Sequence, residues 1–236
     1  MADAAPRNPW KTATVVGIRP ETPRAKTLRL KFEQPVEHMA GQYFIVRLTA
    51  PDGYTAQRSY SCASPPDGSN ELELTIELLD GGEVSTYLHN VVEAGDELDV
   101  RGPIGLWFVW NGDHPACMIG GGSGVVPLMA MLRYARTTGK SDLVRLLVSV
   151  RSPADLYYAD ELPGPETTVI YTRQNPPGVN RASGRLRMTD VPEVADDATV
   201  YVCGSPDFCD SVTDLLIGNG VLAERIRVER FGPTGD

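Results

Sequence analysis

Near residue 110 the sequence changes from one hydrophobic rhythm to another, and that change limits the fold more than any other feature. Before it, short runs such as "KTATVVGI", "AKTLRLKF", "QYFIVRLT", "AQRSYSCAS", "ELELTIELL" and "DELDVRG" carry β-branched or alternating residues. The segments between them, "RPETP", "APDGY" and "PPDGSN", hold the Pro, Gly, Asp and Asn that turns require. One helical stretch, "VSTYLHNVV", interrupts the series. Strands of this kind predict a six-stranded antiparallel β-barrel, which removes exposed sheet edges.

After residue 110 the pattern alternates. The expected strands are "ACMIGGG", "DLVRLLVSV", "TTVIYTR", "ATVYVCG" and "IRVERF"; the expected helices are "GVVPLMAMLRYART", "PADLYYADEL" and "PDFCDSVTDLLIGN". Strands interleaved with helices predict an α/β unit built on a five-stranded parallel sheet. The expected domains are therefore 8–110 and 111–236, and 236 residues suit two units of that size.

The formal charge of −9, from 31 acids against 22 bases, argues against nucleic acid and anionic membrane as partners. No apolar run reaches the roughly 18 residues of a membrane span, and the first ten residues lack the apolar core of a signal peptide. The four cysteines are scattered without a C-x-x-C pair, so reduced thiols and a cytoplasmic location are expected, and no metal site. The three histidines lie far apart in sequence. A monomer is the expected state.

In a parallel sheet, ligands bind outside the carboxyl ends of the strands. The first strand of the second unit runs into "GGGSGVVP", residues 120–127. Glycines there permit a tight turn and close approach of backbone to a phosphate, while the next helix aims free amides at the anion. A hydrolase is disfavoured. A nucleophile elbow needs glycine two residues after its serine, and Val125 stands there after Ser123. The G-x-G-x-x-G fingerprint fails at its third glycine, replaced by Pro127. The acid that fingerprint wants after the second strand is replaced by Arg151, which suits a ribose bearing an extra phosphate.

Taken in order, "RSYS" (58–61), "GEVS" (82–85), "GGSGVVP" (121–127), "CGSPDF" (203–208) and "VERF" (228–231) resemble the ferredoxin–NADP reductase superfamily across about residues 10–232. The resemblance implies an FAD-binding barrel followed by an NAD(P)-binding domain, with FAD in the cleft and NADPH as hydride donor. It implies that Arg58 pairs with the flavin pyrophosphate, Tyr60 lies against the isoalloxazine and Ser61 sits beside N5. In a strand, residues 58 and 60 share a face and 61 points away unless the strand ends or twists, so Ser61 requires a local departure from regular strand. Gly82, Val84 and Ser85 would hold the pyrophosphate at a helix start. Gly122, Ser123, Gly124 and Pro127 would line the nucleotide phosphates. Cys203, Gly204 and Phe208 would stand beside the nicotinamide, with Ser61, Cys203 and Glu229 as the catalytic set.

Phe231 stands where plant-type relatives end on a tyrosine, but the chain continues "GPTGD", so stacking on the flavin and displacement from it both stay open. FMN is the alternative flavin. The stretch "YTRQNPPGVNRASGR" supplies Thr172, Arg173, Arg181 and Arg185, which with Arg151 would read the 2′-phosphate of NADPH. No C-x4-C-x2-C run exists for an iron–sulfur cluster. The two domains account for the length, so a stand-alone bacterial-type reductase is expected, with a separate one-electron acceptor: a ferredoxin, or an oxygenase, haem or molybdenum-enzyme component. A non-catalytic nucleotide-binding or electron-transfer subunit is the alternative.

Overall fold

A computed structural model describes residues 8–232. Six strands, β1 (Lys11–Thr22), β2 (Ala25–Lys31), β3 (Tyr43–Thr49), β4 (Thr55–Ser61), β5 (Glu71–Glu77) and β6 (Glu97–Ile104), form one antiparallel sheet in the order β4-β3-β6-β1-β2-β5. Its two outer strands are brought together where Cys62 bridges Leu74 and the Ala63 amide donates to the Glu73 carbonyl. Val15, Leu28, Leu30, Phe44, Val46, Leu74, Ile76 and Val100 alternate inward and fill the interior. Helix α1 (Glu83–Asn90) covers one end, burying Val84 and Leu88.

β1 runs through "RPET", where the sequence suggests a turn. Pro20 is tolerated because β6 pairs only with Lys11–Thr14; beyond that point β1 has β2 alone as partner, and a missing N–H breaks no ladder on the open side.

The second sheet is parallel, in the order β11-β10-β7-β8-β9, from β7 (Ala116–Gly121), β8 (Val144–Val150), β9 (Thr167–Tyr171), β10 (Thr199–Gly204) and β11 (Ile226–Arg230). Its strands are apolar on both faces because helices cover both. Helix α2 (Val125–Thr137) covers one and α3 (Pro206–Gly218) the other, with buried Cys209, Val212 and Leu216 packed on Ile119 and Val202. Every residue of α2 from Val125 to Leu132 is buried, because its outer side meets Ala40, Ala63, Phe108 and Trp110 of the barrel region. The chain order reverses between β7 and β10, and the crevice at that reversal is where such sheets take ligands.

The expected helix "PADLYYADEL" is replaced by a single 3-10 turn, Pro153–Asp155, and a run of turns. Tertiary contacts override the local pattern here. Tyr158 is buried in a left-handed conformation (φ 54°), with its amide donating to Glu21 at 3.0 Å and its hydroxyl bonded to Thr75.

Candidate active site

Three regions border the crevice. The first is a cleft lined by Arg58, Ser59, Tyr60, Glu77, Leu79, Gly82, Val84, Ser85 and Gly232. β4 supplies Arg58 and Tyr60 from one face and ends at Ser61, which is buried. Ser61 is still paired in regular register with Tyr43 and is not among the residues that line this cleft. The Arg58 guanidinium is exposed, donates to the neighbouring Gln57 carbonyl at 2.7 Å, and makes no ion pair among the described residues. An unneutralised arginine at the mouth of a cleft suits a phosphate. Burial pushes the Tyr60 hydroxyl up, against the opposing charge of Arg58, so the ring stays a neutral phenol.

Gly82 caps α1, and the Ser85 hydroxyl donates to its carbonyl (3.2 Å) while accepting from the Leu79 amide (3.2 Å). A methyl on Gly82 would lie 2.5 Å from that hydroxyl oxygen. The turn is therefore closed to larger residues, and Val84 and Ser85 in the first turn of α1 line the same cleft as Arg58. These residues fit a flavin pyrophosphate.

The second region lies at the reversal point. Gly122 (φ 55°) opens a 3-10 turn, Gly122–Gly124, that leads directly into α2. A methyl on Gly124 would stand 2.2 Å from the Cys203 carbonyl oxygen, so only glycine lets this loop lie against the end of β10. Phe208, in the first turn of α3, packs under Gly121 and Gly204, and either methyl there would meet its ring within 2.7 Å. Pro127 is buried in the first turn of α2 and shapes that turn instead of presenting a surface along the phosphates.

Cys203 is fully buried and lies in register with Glu229 on β11. Burial, with the nearby Glu229 charge, pushes its thiol well up, so it is a neutral thiol at physiological pH and no nucleophile. Burial alone pushes the Glu229 carboxyl up to about 7. Two residues on, the Phe231 amide donates to the Gly204 carbonyl at 2.7 Å, and Gly232 lines the first cleft. The short segment 229–232 therefore joins the two halves of the crevice. The expected tail beyond it, residues 233–236, lies outside the described residues.

The third region is a cleft of about 260 Å³ at the ends of β8 and β9, lined by Ser149, Thr172, Arg185, Leu186, Asp207, Phe208, Ser211, Val212 and Leu215. The Arg173 amide donates to the Arg151 carbonyl at 2.9 Å, so these two exposed arginines sit at adjacent strand ends. Arg181 departs from the expectation that it reads a phosphate. Its guanidinium is bound by Asp190 at 2.6 and 2.7 Å and donates to the carbonyls of Ala182, Gly184 and Arg185. It ties the loop together, and Arg185 takes the place at the cleft. Asp207 and Ser211 were not singled out from sequence; their position after the strand at the reversal point was the signal that could have found them.

Two family models match the chain. One for an oxidoreductase FAD-binding domain matches residues 16–109, and one for an oxidoreductase NAD-binding domain matches residues 118–214. The reductase component of naphthalene 1,2-dioxygenase/salicylate 5-hydroxylase systems from a Ralstonia species is 30% identical over 94% of this chain and 69% of its own length.

The chain belongs to the ferredoxin–NADP reductase superfamily. It is an NAD(P)H-dependent flavin oxidoreductase of that superfamily, with FAD as its flavin. The propane 2-monooxygenase reductase component of Rhodococcus jostii is 31% identical over 92% of this chain, which spans 62% of that relative. Among solved structures, the FAD/NAD-binding domain of a Vibrio cholerae nitric oxide dioxygenase superposes with a TM-score of 0.85 at 25% identity, covering 94% of this chain and 99% of that one. As in other members of the superfamily, a β-barrel precedes a parallel α/β sheet. No helix among the described residues is long and apolar enough to cross a membrane.

Proposed function

We propose that this reductase takes hydride from NADPH onto FAD and passes the electrons singly to a separate oxygenase-class acceptor. The observation that carries the reading is the bridge at residues 229–232. It pairs Glu229 with Cys203, hangs Phe231 on Gly204 and brings Gly232 to the cleft of Arg58 and Tyr60, so nucleotide and flavin sites share one wall. Bound FAD supplies the conversion of a two-electron hydride into single electrons.

The chain's own residues do the rest. Arg58, with the first amides of α1 at Val84 and Ser85, holds the flavin pyrophosphate. Tyr60 offers its neutral ring to the isoalloxazine and Ser61 its hydroxyl near N5. Gly122, Ser123 and Gly124 admit the nucleotide phosphates, while Gly204 and Phe208 bound the nicotinamide and hold it in reacting geometry. Cys203 remains a thiol, and Glu229, titrating about 7, holds or releases a proton at that wall. Thr172, Arg173, Arg151 and Arg185 favour the 2′-phosphate; Asp207 is the one carboxylate lining that cleft. Family matches that end at residue 109 and begin at residue 118 support a domain division near 110, and the free, buried cysteines fit a reducing compartment.

The oxygenase assignment follows the relatives, which include reductase components of dioxygenase and monooxygenase systems and the P5 protein of a phenol hydroxylase. The test is to reduce the purified protein anaerobically with NADPH and mix it with candidate acceptors: ferredoxins, oxygenase components, haem proteins and free quinone. Fast reoxidation by an oxygenase or ferredoxin component supports the reading. Reoxidation only by free flavin or quinone would replace it.

A further inference from the structure

Helix α2 is the element the two halves share. Its start forms the loop against Cys203; its middle brings Met131 up to Gly41, where a methyl would stand 2.7 Å from the Met131 Cε. Two residues further on, Arg133 reaches across. Its Nη1 donates to the Ala63 carbonyl at 2.8 Å and to Glu73 at 2.9 Å, and its other nitrogens grip both oxygens of Glu161. The side chain is only 13% exposed.

Ala63 is two residues past Ser61, and its own amide is held by the Glu73 carbonyl. One guanidinium therefore fixes the exit of the strand that bears Arg58, Tyr60 and Ser61 to the helix whose start approaches Cys203 and Gly204. Other crossing bonds lie away from the Ala63 carbonyl: Tyr158 meets Thr75 and Glu21, Arg19 lies 3.7 Å from Glu161, Arg227 donates to the carbonyls of Trp107 and Val109, and the Tyr201 hydroxyl donates to that of Val109. A buried ion pair is weak evidence for stability by itself. What sets this one apart is that the carbonyl it holds, that of Ala63, lies at the exit of β4 in the other sheet.

We propose that Arg133 is a positioning residue, which sets the separation between the flavin subsite at Tyr60–Ser61 and the nicotinamide subsite at Cys203–Gly204. This rests on the reading of those subsites given above. Hydride transfer is steep in distance, so loosening the tie lowers the transfer rate far more than it lowers either affinity.

Arg133→Met removes every bond while keeping an unbranched apolar stem. In anaerobic single-turnover mixing with NADPH, flavin bleaching is expected to slow about tenfold or more, with FAD and NADP+ dissociation constants within about threefold of wild type. The change that NADP+ binding makes in the oxidised flavin spectrum should diminish in parallel, and Arg133→Lys should restore part of both. Tyr158→Phe breaks the Thr75 link; it should lower the melting temperature and leave the transfer rate within about twofold.

An Arg133→Met protein that bleaches as fast as wild type overturns the proposal. So does a Tyr158→Phe protein slowed equally, which would show a general loss of rigidity. Should Arg133→Met not fold, Arg133→Lys decides, and an unchanged rate with an unchanged NADP+ spectrum overturns it. Wild-type protein that binds no flavin would instead sink the reading of the subsites.

Discussion

The two sides of the crevice are made from different materials. The side proposed for the flavin is built from side chains: the charge of Arg58, the ring of Tyr60 and the hydroxyl of Ser85, on a strand and a helix start that line one cleft. The nucleotide side is built from missing side chains, where Gly121, Gly124 and Gly204 let β7, β10 and α3 approach within a methyl's width. A site made of side chains loses function in steps as groups are removed. A site made of close backbone contact fails at once when anything is added.

That contrast is easiest to break at Gly124. Gly124→Ala should destabilise the protein by about 1–3 kcal/mol, because the methyl overlaps the Cys203 carbonyl. The displaced loop should also slow reduction by NADPH by roughly 100-fold, while flavin content per folded molecule stays near one. Thermal melts and stopped-flow bleaching read the two effects. Ser59→Ala, which removes one hydroxyl from the lining of the other cleft, should cost far less on both measures.

Next in size is Arg58→Ala. Losing a charge-assisted bond to the pyrophosphate should weaken FAD by about 1.5–3 kcal/mol, or roughly 10- to 100-fold in dissociation constant. Equilibrium flavin titration measures it, and unchanged affinity would remove Arg58 from the site.

Arg173→Ala sharpens the comparison at the outer cleft, where side chains return. kcat/KM for NADPH should fall about tenfold or more, with NADH turnover nearly unchanged because it lacks the 2′-phosphate. Arg185→Ala should act in the same direction. Arg181→Ala should lower the melting temperature and leave selectivity alone, since its guanidinium serves Asp190.

The smallest effect is electrostatic. Burial holds the Glu229 carboxyl near 7, against about 4.5 in the unfolded chain, so the native state keeps a proton that the unfolded state releases. Its contribution to stability is complete below about 4.5 and is lost as pH rises through about 7. Glu229→Gln should therefore gain on wild type across that window, by on the order of 1–2 kcal/mol at pH 8 after allowance for its partial exposure. Melting curves at pH 5 and pH 8 give the sign.

Much of this was legible from residues alone, for reasons that the same contrast explains. Side-chain chemistry announces itself, so "RSYS" and "GEVS" pointed to one cleft, and the structure brings Arg58, Tyr60, Gly82, Val84 and Ser85 to its lining. Glycines at a strand end announced the backbone side, although the usual fingerprint failed at Pro127. What stayed hidden depends on tertiary partners. Nothing near "PADLYYADEL" shows that Tyr158 will be pulled out of a helix by Glu21 and Thr75 of the other sheet. Nothing in "NRASGR" shows that Arg181 will turn inward to Asp190 while Arg185 faces the cleft. The bridge of Phe231 to Gly204 is likewise a contact between strand ends 27 residues apart, visible only once β10 and β11 are paired.

The central claim is that these two unlike sides meet so that hydride passes from NADPH to FAD across the wall formed by residues 229–232. The direct test is anaerobic mixing of the FAD-loaded protein with NADPH, and separately with NADH, while the flavin's visible absorbance is followed. The account predicts complete bleaching by one equivalent of NADPH, at a rate well above that with NADH. A flavin that dithionite bleaches but NADPH leaves oxidised would contradict it.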